Sequence, residues 1–307
     1  IVLISWVFIF AGAVGCLDIL TFTKVAEPPM RQGAREPLFT RLLRPMRDAQ
    51  FRRFVTYWSV WNIANSWCSW FWMVYLLEFL YAEQKLADHW WSHYIFFTAA
   101  IVQPVAYQIG QFLGYPIWGR AVDRFGRKPV FLVASSLHTI TWLSWIFLSP
   151  AMLWWMFPIQ IMGGIFGGGQ DIASFNMMLH FNSKGGRGGA GYQAVGSVIF
   201  STAGFLAACA GGWLSTWMGG WTWTFAPGTV YEHTFTRFVP LILIGSAVKY
   251  AADFIFLPRV EDVDSKPAGH ALQFVLNNMY GTLNTLIFVP LRSGVEATGE
   301  GIKRLWG

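Results

Sequence analysis

Charge is scarce in this chain. Of its 307 residues only 12% are Asp, Glu, Lys or Arg, against about 25% in ordinary soluble domains. That deficit excludes the soluble globular class. Cysteine is scarce as well. Cys16, Cys68 and Cys209 lie in apolar runs without metal-ligand spacing, so they read as small buried hydrophobes. There is no Ser/His/Asp set and no pair of catalytic carboxylates, which leaves an enzyme without a candidate constellation. The run Gly185-Gly186-Arg187-Gly188-Gly189 lacks the Gly-Lys-Ser/Thr of a phosphate loop and reads as a flexible turn. Residues 1–20 have no basic leader and no small-residue cleavage site, so they are not a signal peptide. No cofactor, metal or nucleic-acid partner is expected.

Apolar and aromatic residues fill the space that charge leaves. Apolar residues make up 54% of the chain and Trp alone occurs 18 times. Membrane interfaces collect Trp. The fold class expected is all-α and polytopic, because every backbone polar group in lipid needs a partner within its own segment. Seven stretches are long and apolar enough for a span of about 20 residues. They are 1–20, 54–81, 94–118, 129–148, 151–181, 190–214 and 238–257.

The connecting segments alternate in charge. Nineteen Lys and Arg fall on one side and two on the other, with Lys249 inside the last span. By the positive-inside rule the chain begins outside and its C-terminus is cytoplasmic. Residues 270–290 carry Leu272, Val275, Leu276, Met279, Leu283, Leu286 and Ile287 at helical steps. That pattern reads as an amphipathic helix on the cytoplasmic surface. An eighth span is the rival, and it would place Arg292, Lys303 and Arg304 outside, against the charge pattern.

One turn gathers four cations and a carboxylate: Gly119, Arg120, Ala121, Val122, Asp123, Arg124, Phe125, Gly126, Arg127 and Lys128. Gly119 is expected to let two helices approach, and Gly126 to permit a turn that a bulkier residue resists. Asp123 is expected to accept hydrogen bonds from a neighbouring helix N-terminus or an Arg. The spacing Gly-x-x-x-Asp-Arg-x-Gly-Arg-Lys resembles the signature loop of the major facilitator superfamily of secondary transporters. Ala121 stands where that family usually has Leu.

The resemblance implies alternating access, with Asp123, Arg124 and Arg127 holding a cytoplasmic gate. It implies that 1–20 is the last helix of an N-terminal half and 21–53 the central cytoplasmic loop. Residues 54–257 would be the six-helix C-terminal half and 258–307 a cytoplasmic tail. On that reading the chain is a fragment of a twelve-helix protein of the plasma membrane, and the missing half is a partner.

Two segments hold candidate solute ligands. Trp58, Trp61, Asn62, Asn65 and Ser66 recur at helical steps and form one aromatic and amide face. That face suits a polyhydroxylated or aromatic solute. Interhelical hydrogen bonding is the equal alternative for Asn62 and Asn65. The span 151–181 holds five glycines, Gly163, Gly164, Gly167, Gly168 and Gly169, then Gln170, Asp171 and Asn176. Gln170 and Asn176 are cavity-lining candidates by resemblance. Asp171 is the candidate for coupling to protons, for a substrate contact, or simply for reaching water. His138 reads as a structural residue, and Lys249 and Asp253 as a structural pair four residues apart. Trp213, Trp217, Trp221 and Trp223 look like an interfacial belt. Small-solute transport across the bilayer is the function expected. A non-transporting scaffold that handles pigment or lipid is the alternative.

Overall fold

The computed structural model describes residues 12, 14–17, 20–21, 44–69, 71–76, 92–148, 155–184, 189–229, 232–262 and 265–283. Its contacts divide the chain into two units, 1–37 and 38–307. In the first, the described positions are helical. Residues 77–91, positions 185–188 of the glycine-rich turn and everything after 283 lie outside the described residues.

The second unit is a helical bundle. Asp48 starts it: its Oδ1 accepts from the backbone N–H of Gln50 and Phe51, the side-chain cap that a helix start needs. Helix α1 follows (Ala49–Ser69), then the short α2 (Phe71–Tyr75), α3 (Ser92–Phe125), α4 (Arg127–Ser144), α5 (Met156–Lys184) and α6 (Gly189–Met218). A two-stranded antiparallel hairpin interrupts the helices, β1 (Thr222–Phe225) with β2 (His233–Thr236). Trp223 stacks on Phe235 across it at 5.4 Å. Helix α7 (Phe238–Ala251) passes into a π turn over Ala252–Phe256 and a 3-10 turn over Leu257–Arg259. Helix α8 (Ala268–Leu283) ends the described chain.

Three helical stretches are long and apolar enough to cross a membrane by composition: Arg127–Phe147, Gly191–Met218 and Phe238–Arg259. Helices α1, α3 and α5 have 21, 34 and 29 residues. At about 1.5 Å per residue each reaches the ~30 Å of a bilayer core. Their Asn, Gln and Gly content lowers their hydropathy. Helix α6 shows the clearest membrane signature, with Val198, Phe205, Leu206, Trp213 and Trp217 all exposed. A contiguous apolar face on that scale belongs in lipid. Trp213 and Trp217 stack near its end, with Trp221 and Trp223 exposed beyond it.

Helix α3 packs most extensively on α5, α1 on α6, and α4 on both α5 and α7. Glycine makes the α3–α5 contact possible. A Cβ on Gly110 or Gly114 would collide with the backbone of Ile161 or Ile165, and one on Gly164 with the Tyr107 carbonyl. Trp118 lies over Gly169 and donates to the Ile165 carbonyl at 2.6 Å. Helix α3 runs unbroken through Pro104 and Pro116.

Helix α8 packs against α3 and α4. Its buried stripe is Ala271, Val275 and Met279, whereas Leu276 is half-exposed. The apolar stripe read from sequence is therefore rotated, because Phe274 turns in to meet Phe125 at 5.4 Å. Cysteine burial also departs from expectation. Cys68 is buried and donates to the Leu241 carbonyl, while Cys16 and Cys209 are exposed.

Gly164→Ala is expected to destabilise the bundle by about 1–3 kcal/mol through overpacking. Gly119→Ala, on an open helix surface, is expected to stabilise it by up to about 1 kcal/mol. Thermal unfolding in detergent checks both signs.

Candidate functional site

The cationic stretch Gly119–Lys128 is two helix ends rather than a loop. Helix α3 continues to Phe125, α4 begins at Arg127, and the whole turn is Gly126. Gly126 has φ 93°, a conformation that glycine adopts at little cost. Gly119 does not serve close packing, since a Cβ there would meet nothing within 4 Å. The close approach falls earlier on the helix, at Gly110 and Gly114.

Asp123 also differs from expectation. It is exposed, with no hydrogen-bond or ion-pair partner among the described residues. The carboxylate that receives the helix N-terminus is Asp262. Its Oδ2 accepts from the backbone N–H of Arg127 and Lys128, both at 3.0 Å, and its Oδ1 from the Arg127 guanidinium at 2.9 Å. This side chain is only 5% exposed. Lys128 Nζ donates to the carbonyls of Pro258 and Val260, and the Lys266 N–H donates to the Phe125 carbonyl. Arg124 lies over the rings of Phe125 and Phe274. The turn is thus clasped to the segment that follows α7.

The aromatic and amide face of α1 divides between two cavities. The first, of about 680 Å³, is lined by Phe54 and Trp58 of α1, Tyr115 of α3, Asp171 and Phe175 of α5, and Phe200 of α6, among others. The second, of about 240 Å³, includes Asn65, Tyr107, His138 and Gln160. Trp58 and Trp61 stack in parallel at 4.6 Å. Trp61 is buried in the core and donates to Ser135 Oγ. Asn62 bonds the carbonyl of Trp58 in its own helix, and Ser66 lies against Gly204 of α6.

Helix α5 turns two adjacent polar residues in opposite directions. Asp171 enters the first cavity and accepts from Gln111 Nε2 at 2.6 Å. Gln170 is buried and places Oε1 3.1 Å from His138 Nδ1. It lines neither cavity. Asn176 bonds the Ile172 carbonyl of its own helix.

Lys249 and Asp253 do not form the expected ion pair. Among the described residues the ion pairs are Arg53–Glu261 and Arg127–Asp262. Both Lys249 and Asp253 are 0% exposed. The backbone changes to π geometry at Ala252, so the usual four-residue alignment is lost. Lys249 Nζ instead meets His138 Nδ1 at 3.0 Å and lies 4.3 Å from the Trp142 ring centre. Asp253 Oδ1 accepts from the Tyr57 hydroxyl.

Sequence reasoning missed Asp262, Gln111, Tyr115 and Ser135. Asp262 stands 135 residues from its partner Arg127, and no local signal marks it. Gln111 is legible afterwards as the amide facing Asp171 across the glycine contact. Among the described residues no group of three or more His, Cys, Asp or Glu is placed to hold a metal.

Residues 96–231, from α3 to the end of the hairpin loop, match the family described as Major Facilitator Superfamily. The stretch includes the Gly119–Lys128 turn that carries the resemblance in sequence. No curated protein matches the chain, and no solved structure does.

Asp262→Ala is expected to lower stability by about 2 kcal/mol, combining loss of a helix cap with a part-buried guanidinium left unpaired. Asp262→Asn keeps one acceptor and should recover part of it. Asp123→Asn should leave the unfolding temperature unmoved.

Proposed function

We propose that this chain, a Major Facilitator Superfamily protein across residues 96–231, moves a small solute through the membrane by alternating access. The first cavity is the observation that carries the reading. Its ~680 Å³ suits a small-molecule ligand, for which about 300–1,000 Å³ is usual. Its wall is apolar and aromatic, with Phe54, Trp58, Tyr115, Phe175 and Phe200, and Asp171 is its carboxylate. Aromatic faces attract cations through the ring quadrupole, and a carboxylate adds a charge-assisted contact. A solute with a flat or apolar body and one positive charge fits that combination better than a polyhydroxylated one. The amides expected to bind hydroxyls are engaged elsewhere: Asn62 and Asn176 bond their own helices.

In this reading the Arg127–Asp262 clasp holds the α3–α4 turn rigid while the bundle rocks. Arg120, Arg124 and Asp123 stay outward, free to meet a second helical half that closes the cavity. The charge asymmetry supports a plasma-membrane topology with the α3–α4 turn and the C-terminus cytoplasmic. The seven apolar runs would be the spans of that topology.

The test is equilibrium binding of a tetraphenylphosphonium probe to the purified chain, beside a neutral aromatic of equal size. Asp171→Asn is expected to weaken the cation about tenfold to a hundredfold, the loss of one charge-assisted contact. The neutral compound should be unaffected. Asn62→Ala and Asn176→Ala should leave both unchanged. Equal binding by wild type and Asp171→Asn would overturn the cation reading. A stably copurifying pigment or lipid, with no solute binding, would favour a scaffold instead.

A further inference from the structure

We infer that His138, Lys249 and Asp253 form a buried proton-exchange site in the bundle core, with the second cavity as its aqueous entry. The inference is independent of which solute, if any, the first cavity takes.

The cluster lies inside the bundle, and His138 borders the second cavity. Lys249 and Asp253 are fully buried and His138 nearly so. Burying an ion is costly unless its charge and hydrogen bonds are met. Here they are met incompletely. Among the described residues, Asp253 Oδ2 and Gln170 Nε2 have no hydrogen-bond partner, and Ser135 of α4 stands beside the Asp253 carboxylate. The titratable groups facing Lys249 are His138 from α4, Cys68 from α1 and Asp253 beyond the end of its own helix, and Tyr57 of α1 and Tyr250 of α7 face Asp253. Tyr107 of α3 lies beside the His138 ring at 6.1 Å, and α5 contributes the neutral Gln170. The charge balance of the pocket is therefore one ammonium, one carboxylate and one imidazole.

His138 Nδ1 is the point where this arrangement becomes bistable. Two groups address the same nitrogen, Gln170 Oε1 at 3.1 Å and Lys249 Nζ at 3.0 Å. Protonated, Nδ1 donates to Oε1. Unprotonated, it accepts an N–H from Lys249, and Oε1 then opposes its lone pair. The two arrangements differ by the position of one proton.

Water has a place from which to supply that proton. His138 lines the ~240 Å³ cavity with Asn65, Thr141 and Gln160, which is polar and large enough for several waters at about 30 Å³ each. One proton passes from that water into the cluster, where it rests on His138 or on the Asp253 carboxylate. It returns by the same route. Only N–H and O–H bonds form or break. The site also touches both cavities mechanically. Lys249 Nζ lies 5.1 Å from the Trp61 ring centre, Trp61 stacks on Trp58, and Trp58 walls the first cavity.

Infrared difference spectra of the full chain in lipid vesicles, between about pH 5 and about pH 8, test this directly. A protonated-carboxyl band is expected to appear on acidification and to vanish in Asp253→Asn. His138→Gln and Lys249→Met should shift its midpoint. His138→Gln is near-isosteric, and it keeps the test valid if Lys249→Met fails to fold. Absence of a band assignable to Asp253, or a midpoint unmoved in His138→Gln, would overturn the proposal. Failure of solute binding would leave these spectra untouched, so the two readings fail separately.

Discussion

The approach of α3 to α5 at backbone distance governs the rest of this bundle. Gly110 and Gly114 on one helix, and Gly164 on the other, remove the side chains that would hold them apart. In a lipid environment, where the hydrophobic effect does not drive helices together, such close van der Waals packing is a main source of association. The larger side chains then settle around the contact. Tyr107 lies over Gly167, Tyr115 over Gly168 and Trp118 over Gly169. The next two residues of α5 inherit opposite orientations from that seam. Gln170 faces the core and Asp171 faces the first cavity. A single helix face therefore separates a solute-sized space from a buried polar cluster.

Between those two regions stands the parallel pair Trp58 and Trp61. One ring borders the cavity, and the other reaches a hydroxyl on α4 and the ammonium on α7. Stacked rings are stiff, with few rotamers to absorb a displacement. A displacement of Trp58 has a short, rigid path to the groups around Lys249. Asn65, two turns further along α1, borders the other cavity. The helix that sequence periodicity presents as one amphipathic face is thus a partition with separate business at each end.

Much of this was legible in the residues themselves. Apolar runs located the helices, the glycine run announced a close contact, and Gly126 marked the turn that its positive φ requires. What escaped was long-range pairing. Asp123 has the better local credentials for capping a helix, yet Asp262 does it, because the π and 3-10 turns after α7 carry that carboxylate across to α4. His138 looked solitary because its partner Lys249 lies 111 residues away. Lys249 and Asp253 looked paired because four residues align on an α-helix, and the change to π geometry removed that alignment. The hairpin was missed because Trp223 read as an interfacial aromatic before it read as the cross-strand partner of Phe235.

The clasp at Asp262 has a consequence for the order in which the molecule is made. A ribosome delivers Gly126 and the start of α4 long before it delivers Asp262. Throughout that interval the first N–H groups of α4 and the Arg127 guanidinium have no carboxylate to receive them. The α3–α4 turn is finished only when α7 and the segment after it have emerged. An earlier part of the bundle thus waits on a later one, and a nascent chain stalled before residue 262 would hold an unlatched turn.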